Sequence, residues 1–319
     1  MATRLQSVAS TEALRNYAVG FYSDTARTQA QIDAEFLTGP GIPVSSDFEY
    51  QAFAAGDSIS IPNSISSINN PVGTIVTYGG TKVSEQLEQH RVTSEPFYVG
   101  PRISDTDLLM KLEDNARNTM MGLIRGRIDR IFTAALTAAG SATNINVAST
   151  STNAVDVIQG VIETVMLNSQ GAANIRVLFG TSAYRKFVNH VSVQSRITGG
   201  ATRQNPSTVS EQQLADLLGY GVEVRQSRAI KNTAAVGQAT TAAFTLADSI
   251  LVTAVSPVPS TSDPSAVKLF VGRGDNSFTP KYRTVRGDDT DFEEATWGWA
   301  EKVKATNSGA IKRLDITTS

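Results

Sequence analysis

The chain has 319 residues, of which 40% are hydrophobic, with a formal net charge of −2 and a pI near 5.8. This length suffices for one large core or two to three subdomains, and so small a charge excludes a dedicated nucleic-acid binder with a basic surface. There is no cysteine, which excludes disulfides, thiol nucleophiles and cysteine-ligated metals.

The first hundred residues are weakly periodic and then alternate. Short helices are predicted at Thr11 to Gly20 and at Gln29 to Leu37, after which Gly39-Pro40-Gly41-Ile42-Pro43 breaks any regular element. Between residues 57 and 99, alternation and turn residues predict strands. Residues 81–91 are almost entirely polar. We therefore expect an N-terminal arm that is not anchored to its own subunit. A long two-stranded segment should follow it, with too few apolar residues to be buried within the same subunit.

The longest predicted element is a helix over residues 105–139. A capping box from Ser104 to Asp107 opens it, and Gly140 is a natural stop. At 1.5 Å per residue it would span roughly 52 Å, longer than a small domain is wide. A helix of this length is typical of a protein with a structural role. Its predicted buried stripe, at helical spacing, consists of Leu108, Leu112, Ala116, Met120, Leu123, Ile128, Ile131 and Ala135.

The second half of the chain is built from shorter pieces. Residues 140–153 and 229–243 are predicted loops rich in small polar residues or alanine. Helices are predicted at 154–168, 181–190 and 210–218, the last ending at Gly219. Buried or alternating residues predict strands at Ile175 to Phe179, around Val222 and Val224, and within 244–255, 266–271, 280–285 and 294–305.

Several stretches carry a family resemblance. They are the strand and helix from Ile175 to His190, the helix-to-strand turn from Leu217 to Val224, and the strand from Leu246 to Thr253 with Pro257 and Asp263-Pro264 after it. The last of these stretches is Trp297 to Leu314. In this order, and with the long helix before them, they resemble the major capsid proteins of tailed bacteriophages with the Hong Kong 97-type fold, whose final long strand Trp297 to Leu314 resembles.

The resemblance implies an α+β fold with four parts. Residues 1–61 correspond to the N-terminal arm and residues 62–101 to the extended E-loop. The peripheral domain corresponds to 102–230 and 296–319 and includes the spine helix at 105–139. Residues 231–295 correspond to the axial domain.

The same resemblance implies a structural role and no enzyme activity. The expected product is an icosahedral shell of hexamers and pentamers that encloses double-stranded phage DNA through non-specific contacts. Portal, scaffold and decoration proteins are candidate partners. Because the chain has neither a signal-peptide pattern nor 18 consecutive apolar residues, we expect no membrane partner, synthesis and assembly in the host cytoplasm, and a final place in the virion. The alternatives are an encapsulin, which shares the fold, and another phage structural protein such as a tail-tube protein, which would lack the long helix.

No catalytic, cofactor or metal site is predicted. His90 and His190 lie in different predicted regions, without the spacing of a metal site or a triad. Gly272-Arg273-Gly274-Asp275 lacks the spacing of a nucleotide-binding motif and is predicted to be a turn. The densest acidic cluster is typical of a solvated hairpin tip rather than a calcium site; it comprises Asp288, Asp289, Asp291, Glu293 and Glu294.

Two further sets of residues are candidates for function. Gly122 and Gly126 within the long helix favour close packing against a strand or a partner helix. The helix arginines either line a DNA-facing surface or are simply solvated; they are Arg117, Arg125, Arg127 and Arg130. By the family resemblance, Lys82 in the E-loop is a candidate for a covalent cross-link to an asparagine of a neighbouring subunit.

Overall fold

The structure is a computed structural model of the chain. It describes residues 29–54, 80–93, 97–98, 105–147, 149, 153–169, 171, 173–197, 209–233, 239, 241–273, 279–287 and 290–317. None of the helices within these ranges has a stretch apolar enough to span a membrane.

The described residues form a mixed α and β structure. The helices are α1 (Gln29–Thr38), α2 (Asp105–Ala139), α3 (Ala154–Asn168), α4 (Thr181–Val188), α5 (Val191–Ile197) and α6 (Glu211–Leu218). The strands are β1 (Ile42–Val44), β2 (Asp47–Ala52), β3 (Thr81–Gln86), β4 (Glu88–Thr93), β5 (Phe97–Tyr98), β6 (Thr143–Asn146), β7 (Asn174–Phe179), β8 (Glu223–Gln226), β9 (Ile230–Asn232), β10 (Ala242–Phe244), β11 (Ser249–Val255), β12 (Val267–Gly272), β13 (Thr279–Gly287), β14 (Thr290–Ala305) and β15 (Ile311–Thr317).

A five-stranded sheet in the order β6-β15-β11-β7-β8 forms the centre of the main core. Every residue of β11 is buried, because the strand pairs antiparallel with β7 on one side and with β15 on the other. A strand covered on both faces reads as a continuous apolar run, as Ile250-Leu251-Val252 does. Helix α3 packs against this sheet with Val155, Ile158 and Ile162, none of which has exposed surface.

A second sheet is organised around the 16-residue strand β14. It follows the order β1-β12-β14-β13, and β4 and β5 also pair with β14. Strand β2 pairs with β3 in a separate two-stranded sheet, whose Phe48 and Tyr50 stack on Phe270 of β12 with ring centroids 4.6 and 5.4 Å apart.

The long helix is confirmed over Asp105–Ala139. Of the predicted stripe, Leu123, Ile128, Ile131 and Ala135 are buried, whereas the side chains of its first half, like the capping residue Ser104, lie outside what the structure describes. The helix ends at Gly140, whose φ of +66° is the left-handed cap that glycine adopts without a steric penalty. Helix α2 packs along β14, so the helix and the long strand form one unit.

The expectation that the first part of the chain has no anchor of its own is wrong for residues 29–54. Leu37 has no exposed surface, and Phe48 and Tyr50 are buried against β12 of the same chain. The predicted break at residues 39–43 is also only partly right, because Gly39 ends α1 but Ile42 and Pro43 pair in parallel with β12. The polar excursion at 81–91 likewise pairs within its own chain, β3 with β2 and β4 with β14. The helix predicted at Thr11 to Gly20 lies outside the described residues.

The predicted boundary between a peripheral and an axial domain at residue 230 runs through one sheet. Strand β11, assigned to the axial domain, pairs along its length with β7, assigned to the peripheral domain. Six to seven residues of continuous ladder bury both strands in one core, so these segments belong to the same structural layer.

Short elements account for the remaining differences. Residues 143–146 form a strand where a loop is predicted, and residues 230–232 and 242–244 form a hairpin within the other predicted loop. Helix Val191–Ile197 is not predicted at all. The predicted final strand from Trp297 to Leu314 is two strands, because a turn of 3₁₀-helix at Ser308–Ala310, capped by Asn307, separates β14 from β15.

Candidate functional site

The two histidines are in separate environments, as predicted. His190 is buried, with Nδ1 2.8 Å from the Ser192 hydroxyl and Nε2 3.3 Å from the Ser149 carbonyl. His90 lies on β4 directly opposite Trp299 of β14. Among the described residues, no group of three or more histidine, aspartate or glutamate side chains is placed to hold a metal ion. Asp288, Asp289, Gly274 and Asp275 lie outside the described residues.

The most concentrated set of buried charges joins the long helix to the long strand. Glu301 of β14 has no exposed surface. Arg127 of α2 donates from Nε to its Oε2 at 2.6 Å, and Arg130, one helical turn later, donates to its Oε1. A buried carboxylate is tolerated when it is paired and hydrogen-bonded in this way. The three side chains therefore lock helix and strand at one register.

Trp299 and His90 extend this cluster to strand β4. The guanidinium of Arg127 lies 4.4 Å from the centroid of the Trp299 ring, a cation–π distance. Burial lowers the pKa of His90, and the positive charge of Arg130 lowers it further against the opposing effects of Glu301 and Glu88. At neutral pH His90 is therefore a neutral ring packed beside an arginine.

A second set of charges ties strand β3 to the end of β14. Lys302 lies 2.6 Å and Lys304 2.7 Å from the two carboxylate oxygens of Glu85, and Tyr50 donates to Glu85 at 3.1 Å. Burial raises the pKa of Glu85, but hydrogen bonds from the two lysines outweigh it and leave the pKa lowered. Burial, with the nearby charge of Glu85, raises the pKa of Tyr50 to about 12.

The structure separates the predicted DNA-facing arginines. Arg127 and Arg130 point inward to Glu301, whereas Arg125 is exposed. The side chain of Arg117 lies outside what the structure describes. Lys82, the predicted cross-link residue, is exposed on β3 opposite Gln51 of β2.

The predicted close packing at the helix glycines is not found within the chain at Gly122. Among the described residues, a Cβ placed there meets no atom within 4 Å, and one at Gly126 meets only the guanidinium of Arg130, at 3.3 Å. A contact of Gly122 with a partner helix stays a prediction.

Sequence reasoning missed Glu301, the residue on which the junction depends. The available signal is its position: Trp299, Glu301 and Val303 alternate along one face of a strand. A lone glutamate on that apolar face requires a buried cation, and Arg127 and Arg130 stand three apart on one face of a helix.

The arrangement is one of mutual neutralisation. Each described buried charge at the junction is held by an opposite charge of the same chain, 171 or 174 residues away in sequence for the two Arg–Glu301 pairs. Such groups fix geometry rather than present a reactive side chain to a substrate.

Two solved structures with a similar fold are phage-related. A phage-related protein from Bordetella bronchiseptica matches with a TM-score of 0.64 over 95% of this chain and 96% of its own, at 14% sequence identity. A candidate capsid protein of an Escherichia coli prophage matches with a TM-score of 0.53 over 97% and 99%, at 10% identity. The resemblance to phage capsid proteins is thus confirmed at the level of the fold.

An encapsulin from Synechococcus elongatus also matches, over 93% of this chain and 94% of its own at 10% identity, with the lower TM-score of 0.46. No protein-family model matches the chain, and no curated protein sequence does.

Proposed function

We propose that this chain is the major capsid protein of a tailed bacteriophage, and that it self-assembles into an icosahedral shell of hexamers and pentamers around double-stranded DNA. The observation that carries the proposal is the match to a phage-related protein over 95% of this chain and 96% of that one.

The internal chemistry supports a structural role. Charged groups that are buried or half-buried in the described residues connect separate elements, as at Glu301, Glu85 and Asp33. Asp33 of α1, fully buried, accepts from the Arg225 side chain at 3.1 Å and from the Arg228 backbone amide at 2.8 Å. A shell subunit that bears load from its neighbours needs its long elements held rigidly to one another.

Within this proposal, α2 is the spine helix and residues 62–101 are the E-loop, with β3 and β4 joining its second half to the subunit. Residues 1–61 are the proposed N-terminal arm, of which α1, β1 and β2 pack against other elements of the same subunit. Lys82 is the proposed cross-link donor because it is exposed on β3. A ladder of covalent multimers on denaturing gels of purified shells, lost in Lys82→Arg, is the result expected of such a link.

The proposed contact with DNA is non-specific and does not depend on a basic helix stripe. The described exposed charges of α2 are mixed in sign: Asp107, Lys111, Asp114, Arg125 and Asp129. Because Arg127 and Arg130 are bound to Glu301, the proposed DNA-facing role falls to the other two arginines, Arg117 and the exposed Arg125. The further proposed partners are portal, scaffold and decoration proteins, and the proposed location is the virion.

Electron microscopy of the purified chain tests the proposal directly. We expect closed icosahedral particles, and nuclease-protected double-stranded DNA in particles made during infection. Stacked rings or tubes would instead indicate a tail-tube protein, and closed shells filled with a cargo enzyme an encapsulin. A chain that remains monomeric under all assembly conditions and is missing from virions would refute the proposal.

A further inference from the structure

Two exposed apolar patches lie at opposite ends of strand β8. This strand is at the edge of the five-stranded sheet, where it pairs with β7. The turn Gly219-Tyr220-Gly221 precedes β8, and the hairpin of β9 and β10 follows it. Because one patch lies before the strand and the other after it, the two cannot meet within one subunit.

The first, which we call the tyrosine patch, consists of Glu163, Leu167, Asp216 and Tyr220. Tyr220 is 50% exposed and has a φ of +57°, between two glycines that also have positive φ. Its hydroxyl donates to Glu163 of α3 at 2.5 Å. Leu167, one helical turn beyond Glu163, is 79% exposed. Asp216 is exposed on the last turn of α6, four residues before Tyr220.

The backbone of Tyr220 indicates a role outside the subunit. A bulky residue at positive φ is a steric outlier that glycine would relieve. The neighbouring positions are both glycine, yet a half-exposed aromatic ring stands between them and adds nothing to the core. Tyrosine is enriched among the residues that dominate binding at protein interfaces. The strain at Tyr220 is accounted for if its ring packs on a partner.

The second, the hairpin patch, consists of Arg228, Ile230, Lys231 and Phe244. Ile230 and Phe244 are directly opposite each other across the antiparallel pair of β9 and β10, and are 61% and 44% exposed. Cross-strand neighbours on one face form a continuous apolar surface. Arg228 and Lys231 are exposed beside them.

The two patches are complementary in charge. The tyrosine patch has an apolar centre with the carboxylates Glu163 and Asp216, and the hairpin patch has an apolar centre with the cations Arg228 and Lys231. Complementary potentials around an apolar contact set the partner and the register of an interface. The occupant that supplies the matching surface is a second copy of this chain.

We propose that the hairpin patch of one subunit docks on the tyrosine patch of the next, head to tail. This inference rests on the proposed self-assembly and names the surfaces that carry it. A heterologous contact of this kind closes into rings when the rotation between subunits permits, so it would join neighbours within a hexamer or pentamer.

Tyr220→Gly separates folding from assembly. Glycine suits a φ of +57°, so the melting temperature of the free subunit should be unchanged or higher. The contact is lost, so the yield of closed particles should fall at least tenfold. The matched control is Val258→Ser, which removes an apolar side chain that is 76% exposed and lies outside both patches; it should assemble as wild type does. Normal assembly of Tyr220→Gly would overturn the proposal.

A mixing experiment tests the head-to-tail geometry. We expect the tyrosine-patch variant Leu167→Lys/Tyr220→Gly and the hairpin-patch variant Ile230→Ser/Lys231→Glu to be monomeric alone. Mixed, each supplies one intact surface, so sedimentation should reveal a dimer and no rings. Wild-type protein that forms no particles would count against the proposed function itself. Wild-type particles together with normal particles from both variants would count against these surfaces alone.

Discussion

Arg127 donates from Nε to Oε2 of Glu301 at 2.6 Å, across 174 residues of sequence. Glu301 is fully buried, and Arg130 holds its other oxygen, so the long helix and the long strand are joined by charge as well as by apolar packing. Breaking a buried ion pair by removing one partner is more damaging than its net contribution suggests, because the remaining charges keep their desolvation cost. This asymmetry makes the junction testable.

Glu301→Gln should lower the free energy of unfolding by about 3 kcal/mol, because two arginines lose their counter-charge in a buried site. The volume of the side chain is unchanged, so packing is preserved. The matched control is Glu223→Gln, since Glu223 pairs with Arg176 at 2.9 Å but is 47% exposed. That change should lower the free energy of unfolding by less than about 1 kcal/mol. Urea denaturation of unassembled subunits measures both, and equal losses would contradict the role of the junction.

The environment of His90 predicts a dependence of stability on acid pH. The groups that face it are Arg130 of α2, Glu301 of β14 and Glu88 of its own strand, and burial comes first among the causes that lower its pKa. In the unfolded chain the imidazole has its ordinary pKa of about 6.5. Between that value and the lower folded pKa, the unfolded state binds more protons, so stability rises with pH there.

The contribution of His90 to the free energy of unfolding is therefore fully present above about pH 6.5. It is lost as the pH falls through the pKa that His90 has in the folded state. His90→Gln, which cannot titrate, should flatten the slope of the free energy of unfolding against pH in this window. Urea denaturation at several pH values from 4 to 8, on wild type and variant, is the measurement. A variant with the same slope as wild type would assign the acid sensitivity to other groups.

Two glycines should respond to alanine in opposite directions. Gly180 precedes α4, and a Cβ added to it would lie 2.5 Å from the carbonyl oxygen of Ala247 and 2.7 Å from that of Leu246. Those carbonyls accept the first amides of the helix, so they cannot move away freely. Gly180→Ala should cost about 3 kcal/mol, at the upper end of overpacking effects.

Gly160 is the opposite case, since a Cβ placed there in α3 meets no atom of the described part of the chain within 4 Å. Gly160→Ala should stabilise by about 0.5 to 1 kcal/mol, the helix-propensity difference. Thermal unfolding of both variants, followed by circular dichroism, provides the comparison. A stabilising effect of Gly180→Ala would mean that the junction of β7 with α4 is looser than described.

Elements that are long and stabilised by their own pattern could be predicted from the sequence. The helices Asp105–Ala139 and Ala154–Asn168 cover the residues over which apolar positions recur at helical spacing, and Gly140 ends the first of them. The strands at 143–146 and 230–232 could not be predicted, because segments of three or four polar or mixed residues become strands only through the partner they pair with. The Glu301 cluster is of the same kind, since its geometry depends on contacts more than 170 residues apart.

The same distinction explains why the sequence does not predict that residues 29–54 pack on their own subunit. The local sequence pattern of these residues gives no sign of the sheet on which Phe48 and Tyr50 stack. Only the tertiary fold brings Phe270 beneath them. Segments whose burial depends on distant partners look like arms in a sequence whether the partner belongs to the same subunit or to the next.

Hydrogen exchange on unassembled subunits should distinguish these two cases. Because Asp33 is fully buried and bonded to Arg225 and to the Arg228 amide, α1 is tied to the core without a neighbour. We expect the amides of α1 and β2 to exchange slowly in free subunits, at rates comparable to those of α3.

Asp33→Asn should remove the charge-assisted bonds, lower the free energy of unfolding by about 2 kcal/mol, and speed exchange in α1 first. Asp47→Asn, at an exposed position of the same segment, is the control and should change neither. If α1 and β2 exchange quickly in free subunits and slowly only in shells, this segment takes its order from neighbouring subunits and the anchoring by Asp33 is insufficient.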